Sequence, residues 1–164
     1  MFTDNIENFN INNVIISDAI KNSMIEQSLF YKLLYSNDFI TFNGIYLYFQ
    51  LENINYNKDR IIISKDNENN SNILNNIINI ESVLFNIMNS NKKKNYKLTE
   101  LINNNNIKFS KSDIDDINEF NEFNNINDKN KHNFILKISG FWETNDNIGI
   151  TFKIIKVNKV LNLF

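Results

Sequence analysis

Six side chains in this sequence have the types needed to hold single-stranded nucleic acid: Tyr46, Tyr48, Lys137, Phe141, Trp142 and Lys153. Aromatic faces stack on bases and lysine ammonium groups meet phosphates, each stacked base contributing about 1–3 kcal/mol. The competing use of the same rings is packing, because aromatic side chains dominate protein cores. Catalytic candidates are sparser. His132 is the only His, and a general base needs a positioned partner that nothing in its neighbourhood supplies. An exposed, inert His132 is therefore expected. Asp113, Asp115 and Asp116 carry oxygen ligands suited to a hard cation, but they lack the spacing of a calcium loop and read as a solvated acidic segment. With no Cys there is neither thiolate zinc site nor cysteine nucleophile, and three Gly cannot build a phosphate-cradling loop. These observations predict a protein that is not an enzyme and carries no metal or cofactor.

Positioning the six side chains falls first to residues 134–157. Phe134, Leu136 and Ile138 alternate with Ile135, Lys137 and Ser139, and Ile148, Ile150, Phe152 and Ile154 alternate with Gly149, Thr151 and Lys153. Two period-2 arms around the polar turn Glu143–Asn147 predict a half-buried β-hairpin. If the alternation runs unbroken, Lys137, Phe141 and Lys153 face outward, with Trp142 near the turn. Residues 39–51 predict another strand, with Gly44 as a bend, Ile45, Leu47 and Phe49 on one side and Tyr46 and Tyr48 on the other.

Elsewhere, residues 23–36 fit either helix or strand and are assigned to a strand, residues 11–16 to a short strand or docking arm, and residues 60–65 to a third strand. Residues 71–90 switch to helical period, with Ser71 as N-cap, and residues 96–102 add a short second helix. Residues 1–10 are expected to fray. Residues 103–133 form an acidic, Asn-rich insertion in which Ile114, Ile117, Phe120 and Phe123 recur at a spacing that suits a short docking helix. Lys92, Lys93 and Lys94 read as a solvated loop, with phosphate contact or a localisation signal as the alternative. The apolar tail 160–164 could seal the body or anchor a partner. The whole predicts one domain over 1–164, mainly β (α+β). The order of strands, helix, insertion and hairpin matches an OB-like Greek-key barrel.

Composition sets the outer limits. The chain has 164 residues, 42% of them hydrophobic and 13% aromatic, enough for a packed core. Net charge of −2 argues against indiscriminate nucleic-acid binding, yet charge is segregated: residues 92–111 hold six lysines against Glu100, and residues 112–128 are acidic throughout. Asn, Ile and Lys are the commonest residues and Pro is absent, a bias towards AT-rich codons that makes Asn a weak marker of turns here. No run of 18 apolar residues exists, so no membrane span is expected, and no signal peptide is visible.

Tyr35-Ser36, Asn43-Gly44-Ile45-Tyr46 and the stretch 136–153 (LKISGFWETNDNIGITFK) give the chain a resemblance. It resembles small proteins of nucleocytoplasmic large DNA viruses, of the mimivirus-like kind, which pair these two stretches. The resemblance covers about a quarter of the chain and brings no catalytic residues. It implies an intracellular setting, in host cytoplasm or virus factory, or in the virion. Two functions follow as expectations: a non-enzymatic module binding single-stranded DNA or RNA during viral replication or packaging, or a structural component that recognises viral proteins.

Overall fold

The structure is a computed structural model that describes residues 3–37, 39–63, 67–111 and 130–157. It is mainly β with two helices. The elements in order are β1 (Asp4–Asn5), β2 (Val14–Lys21), β3 (Leu29–Ser36), β4 (Thr41–Phe42), β5 (Ile45–Glu52), β6 (Asn55–Asn57), β7 (Arg60–Ile62), α1 (Glu68–Met88), β8 (Lys93–Asn95), α2 (Lys97–Asn103), β9 (Ile107–Lys108), β10 (Ser110–Lys111), β11 (Lys131–Glu143) and β12 (Asn147–Val157). Two short 3-10 turns, Ile6–Asn8 and Ile11–Asn13, precede β2.

The expected hairpin is β11–β12, and β11 is the spine of the main sheet. One edge of β11 pairs with β12 along its length. The other edge takes two partners in succession: β5 opposite Lys131–Ile138, then β3 opposite Gly140–Glu143. A register shift between Ile138 and Gly140 marks the changeover. An extra residue in one strand bends the sheet and inverts the alternation beyond it. The remaining strands attach outward, β2 and β4 on β3, β1 parallel to β5, and β8 and β10 parallel on β12. A second sheet contains β6, β7 and β9.

Among the described residues no pairing closes the main sheet. The expected barrel is thus replaced by an open mixed sheet. Strand order in the chain says nothing about which edges meet, and β9, which follows the helices, joins the smaller sheet instead of closing the larger one.

The inner face carries Leu33, Ile45, Leu47, Phe49, Phe134, Leu136, Ile138 and Phe141, all buried, and α1 lies across it with Ile73, Ile77, Ile80, Leu84 and Phe85. The Phe85 and Phe141 rings sit 5.9 Å apart, and those of Phe49 and Phe134 sit 5.5 Å apart. Burying one such side chain stabilises the fold by roughly 1.5–3 kcal/mol.

Helix α1 starts earlier than expected. Its N-cap is Asn67 rather than Ser71, with the Asn67 carboxamide oxygen accepting from the Asn70 backbone N–H at 3.0 Å. Helix α2 has no local side-chain cap. Instead the fully buried Glu81 of α1 accepts from the backbone N–H groups of Leu98 (3.0 Å) and Thr99 (2.8 Å) and from the Thr99 hydroxyl (2.6 Å). A carboxylate at a helix N-terminus satisfies orphan donors and complements the positive end of the peptide dipoles.

Other expectations change for equally local reasons. Within residues 1–10, β1 pairs with β5 and Ile6 is buried in the core. The run 39–51 divides into β4 and β5 at Asn43-Gly44, where Gly44 adopts φ +108°. A Cβ there would lie 3.0 Å from the Ile138 carbonyl oxygen, so the bend needs glycine twice over. Part of the expected 103–133 insertion is ordered as β9, β10 and the start of β11. The acidic cluster Asp113, Asp115 and Asp116, the apolar residues 114–123 and the tail 160–164 lie outside the described residues.

Lys92 is not a free loop residue. Its ammonium donates to the carbonyl oxygens of Thr144 and Asn145, both at 2.8 Å, and lies 3.6 Å from the Glu143 carboxylate, so it ties the β11–β12 turn to the end of α1.

Replacing Glu81 tests the inter-helix cap. A buried donor left unsatisfied costs about 1–3 kcal/mol, and the Leu98 N–H is buried while the Thr99 donors are part-buried, so Glu81→Ala is expected to lower stability by about 1–3 kcal/mol in urea unfolding. Glu81→Gln is expected to recover only part, because its amide presents one acceptor where the carboxylate presents two. A loss under about 1 kcal/mol would show that the cap is dispensable.

Candidate nucleic-acid interface

The outer face of the main sheet, opposite α1, collects most of the residues singled out in the sequence. Paired positions in neighbouring strands share a face, so the register can be read as rows. One row runs Tyr46–Lys137–Lys153 across β5, β11 and β12. The next row towards the start of β11 is Tyr48–Ile135–Ile155, and the one after it is Gln50–Asn133–Val157. Past the register shift the rows become Lys32–Gly140–Thr151 and Phe30–Trp142–Gly149.

Five of the six expected residues therefore share this face: Tyr46, Tyr48, Lys137, Trp142 and Lys153. Phe141 does not. It is 0% exposed and belongs to the core beside Phe85. The unbroken alternation that put it outward fails at Ser139, the extra residue of the bulge, which turns Phe141 in and Trp142 out.

Each of the two rings beyond the bulge covers a glycine. A Cβ on Gly149 would lie 2.3 Å from the Trp142 indole, and one on Gly140 would lie 2.6 Å from the Phe30 ring. The rings lie across strand backbone where a side chain would otherwise stand, an aromatic cover for glycine in a sheet. On the other side of the bulge, the Lys137 ammonium sits over the Tyr46 ring, 5.3 Å from its centroid. The Tyr48 hydroxyl and the Gln50 amide both donate to the Asn133 carboxamide oxygen at 2.8 Å. Burial of the Tyr48 phenol pushes its pKa above 10.0, against a smaller opposing effect of the Gln50 hydrogen bond.

Lys32, Lys137 and Lys153 thus form a cationic band across three strands, with Tyr46 and Tyr48 on one side and Phe30 and Trp142 on the other. Lys32 and Phe30 were missed in the sequence. Their signal was the alternation of residues 29–36, in which Leu33 and Tyr35 point inward and leave Phe30, Lys32 and Leu34 on the opposite phase.

His132 also departs from expectation. It is half-buried at the inner edge of β11, with Nδ1 3.0 Å from the Tyr56 hydroxyl and its ring edge-on to Tyr56 at 5.3 Å. The Lys156 ammonium lies over the same Tyr56 ring at 4.1 Å. Burial holds the His132 pKa below 6.5, and the nearby Lys156 charge adds to the effect. Burial pushes the Tyr56 phenol up to about 12. This group joins β6 of the small sheet to β11 and β12 of the large one.

Among the described residues no helix is long and apolar enough to cross a membrane, and no cluster of His, Cys, Asp and Glu is arranged to hold a metal ion. Comparison with known protein families, with curated proteins and with solved structures finds no match for this chain.

Two measurements follow. Phe141→Ala is expected to cost about 3–5 kcal/mol of stability, as deletion of a core ring does, and Trp142→Ala clearly less. Equal losses in urea unfolding would mean that Trp142 is core as well. The depressed His132 pKa gives stability a defined slope. Between 6.5 and the lower folded value the unfolded chain binds more protons, so stability falls as pH falls through that window. His132→Gln, which keeps an acceptor for Tyr56, is expected to flatten urea midpoints between about pH 7.5 and about pH 5.5. An unchanged slope would locate the titration elsewhere.

Proposed function

We propose that this protein is a non-enzymatic module that binds single-stranded nucleic acid on the outer face of its main sheet. The observation that carries the reading is the row Tyr46–Lys137–Lys153 lying next to Lys32, with rings on both sides. Phosphates would run along the lysine band, and bases would stack on Tyr46, Tyr48, Trp142 and Phe30. An open sheet suits this mode, because a single strand needs a platform and a groove rather than a closed barrel. Lysine in place of arginine gives point-charge contacts without a planar fork, which fits binding that tracks the backbone more than sequence. The resemblance to proteins of large DNA viruses makes replication or packaging the natural setting, with DNA or RNA as partner.

A second reading, a structural component that recognises viral protein, is favoured by the β2–β3 arm. There Ile20 is 58% exposed and Met24 89% exposed, and β2 pairs only with β3 among the described residues.

Fluorescence anisotropy of a labelled oligonucleotide separates the two. Binding is expected to weaken with salt, each neutralised phosphate contributing about 0.7 to the log–log slope for single strands. Lys137→Ala/Lys153→Ala should lower that slope by about 1.4, and Trp142→Ala should weaken binding while leaving the fold intact. Absence of binding at about 50 mM salt would reject the first reading and leave the second.

A further inference from the structure

Eight of the chain's 37 asparagines have engaged carboxamides among the described residues. The carboxamides of Asn5, Asn10, Asn22, Asn37, Asn67, Asn70, Asn105 and Asn133 all accept hydrogen bonds, and Asn70 and Asn105 also donate. Asn43 is exposed, as Asn5, Asn10 and Asn37 are, but differs from all eight in two respects. Its carboxamide takes part in no hydrogen bond among the described residues, and it is followed by Gly44, the only glycine in the sequence preceded by asparagine. It lies in the bend between β4 and β5, outside any ladder pair.

We propose that Asn43-Gly44 is a spontaneous modification site, at which the Asn43 carboxamide is lost and a carboxylate or an isoaspartyl linkage takes its place. The deprotonated Gly44 backbone nitrogen attacks the Asn43 side-chain carbonyl carbon. A new C–N bond closes a five-membered imide, and the side-chain nitrogen leaves as ammonia. Water then opens the imide at either carbonyl, giving aspartate or isoaspartate. No oxidant, metal or enzyme is needed.

Glycine makes the step feasible because no Cβ crowds the attacking nitrogen. Hydrogen-bonded carboxamides such as that of Asn70, held at 2.8 Å on both of its contacts to Glu52, cannot swing onto the following nitrogen. Conversion at Asn43 would put negative charge at the mouth of β5, three residues before Tyr46. The isoaspartyl form would also lengthen the backbone beside the tight approach of Gly44 to the Ile138 carbonyl.

The test is to incubate the folded full-length protein at mildly alkaline pH and map its tryptic peptides, separating aspartyl from isoaspartyl forms. The expected result is an acidic species on anion exchange, with one added negative charge located at Asn43, ahead of conversion at Asn22, Asn70 and Asn89, the asparagines followed by serine. Asn43→Gln should abolish that species while leaving the urea midpoint in place. The proposal is overturned if the acidic species forms undiminished in Asn43→Gln. It is equally overturned if folded protein keeps Asn43 intact while the same tryptic peptide, free in solution, converts.

Discussion

The structure depends on one irregularity, the bulge at Ser139. β11 has to pair along a single edge with two strands, β5 and β3, that follow different courses. A regular strand could not keep both in register and keep apolar side chains on one face, since a slip of one residue exchanges the faces. The extra residue performs that exchange at the changeover. Before it Phe134, Leu136 and Ile138 point inward, and after it Phe141 does. The Gly44 bend sits against the Ile138 carbonyl, so the break between β4 and β5 and the bulge in β11 are one joint seen from two strands. The same joint decides which aromatic side chains reach the outer face.

Asparagine is the second organising element. A carboxamide has the donor and acceptor of a peptide group, and it can stand in for a missing strand. Asn70 pairs with both backbone groups of Glu52 at the end of β5, and Asn105 does the same for Ile63 after β7. Asn also tolerates left-handed backbone better than most residues, and Asn53, Asn89 and Asn105 each adopt φ +49°. In a chain with three glycines and no proline, these positions do turn and cap work that other sequences give to those residues. An alphabet that looks like background is, at these sites, structural.

Much of the fold was legible where the controlling interactions are local. Period-2 alternation located β5, β11 and β12, and period-3.6 spacing located α1, because both report burial of a face by residues close in sequence. What was hidden is nonlocal. Nothing around Glu81 shows that it caps a helix seventeen residues away, and nothing around Lys92 shows that it binds the turn at Thr144-Asn145. The bulge escaped for a different reason. Ser139 continues the outward phase of Lys137 and Gly140 has no side chain to mark the inward one, so the pattern shows no break and places Phe141 outward; only the pairing of β11 reveals the extra residue. The open sheet likewise could not be read, since strand order leaves edge pairing undetermined.

The cation–π contact between Lys137 and Tyr46 bears on whether the outer face is occupied by its own contacts. An exposed contact of this kind contributes about 0.5–1 kcal/mol, whereas one stacked base contributes about 1–3 kcal/mol. On the proposed function, a base displacing the ammonium from the Tyr46 ring would gain at least what is lost, and the released charge would lie in the row with Lys153, where a phosphate would follow. Tyr48 is held differently. Its hydroxyl is fixed by Asn133, so its ring is preorganised and loses little freedom when covered. The face thus combines one fixed ring, one exchangeable ring and a lysine band.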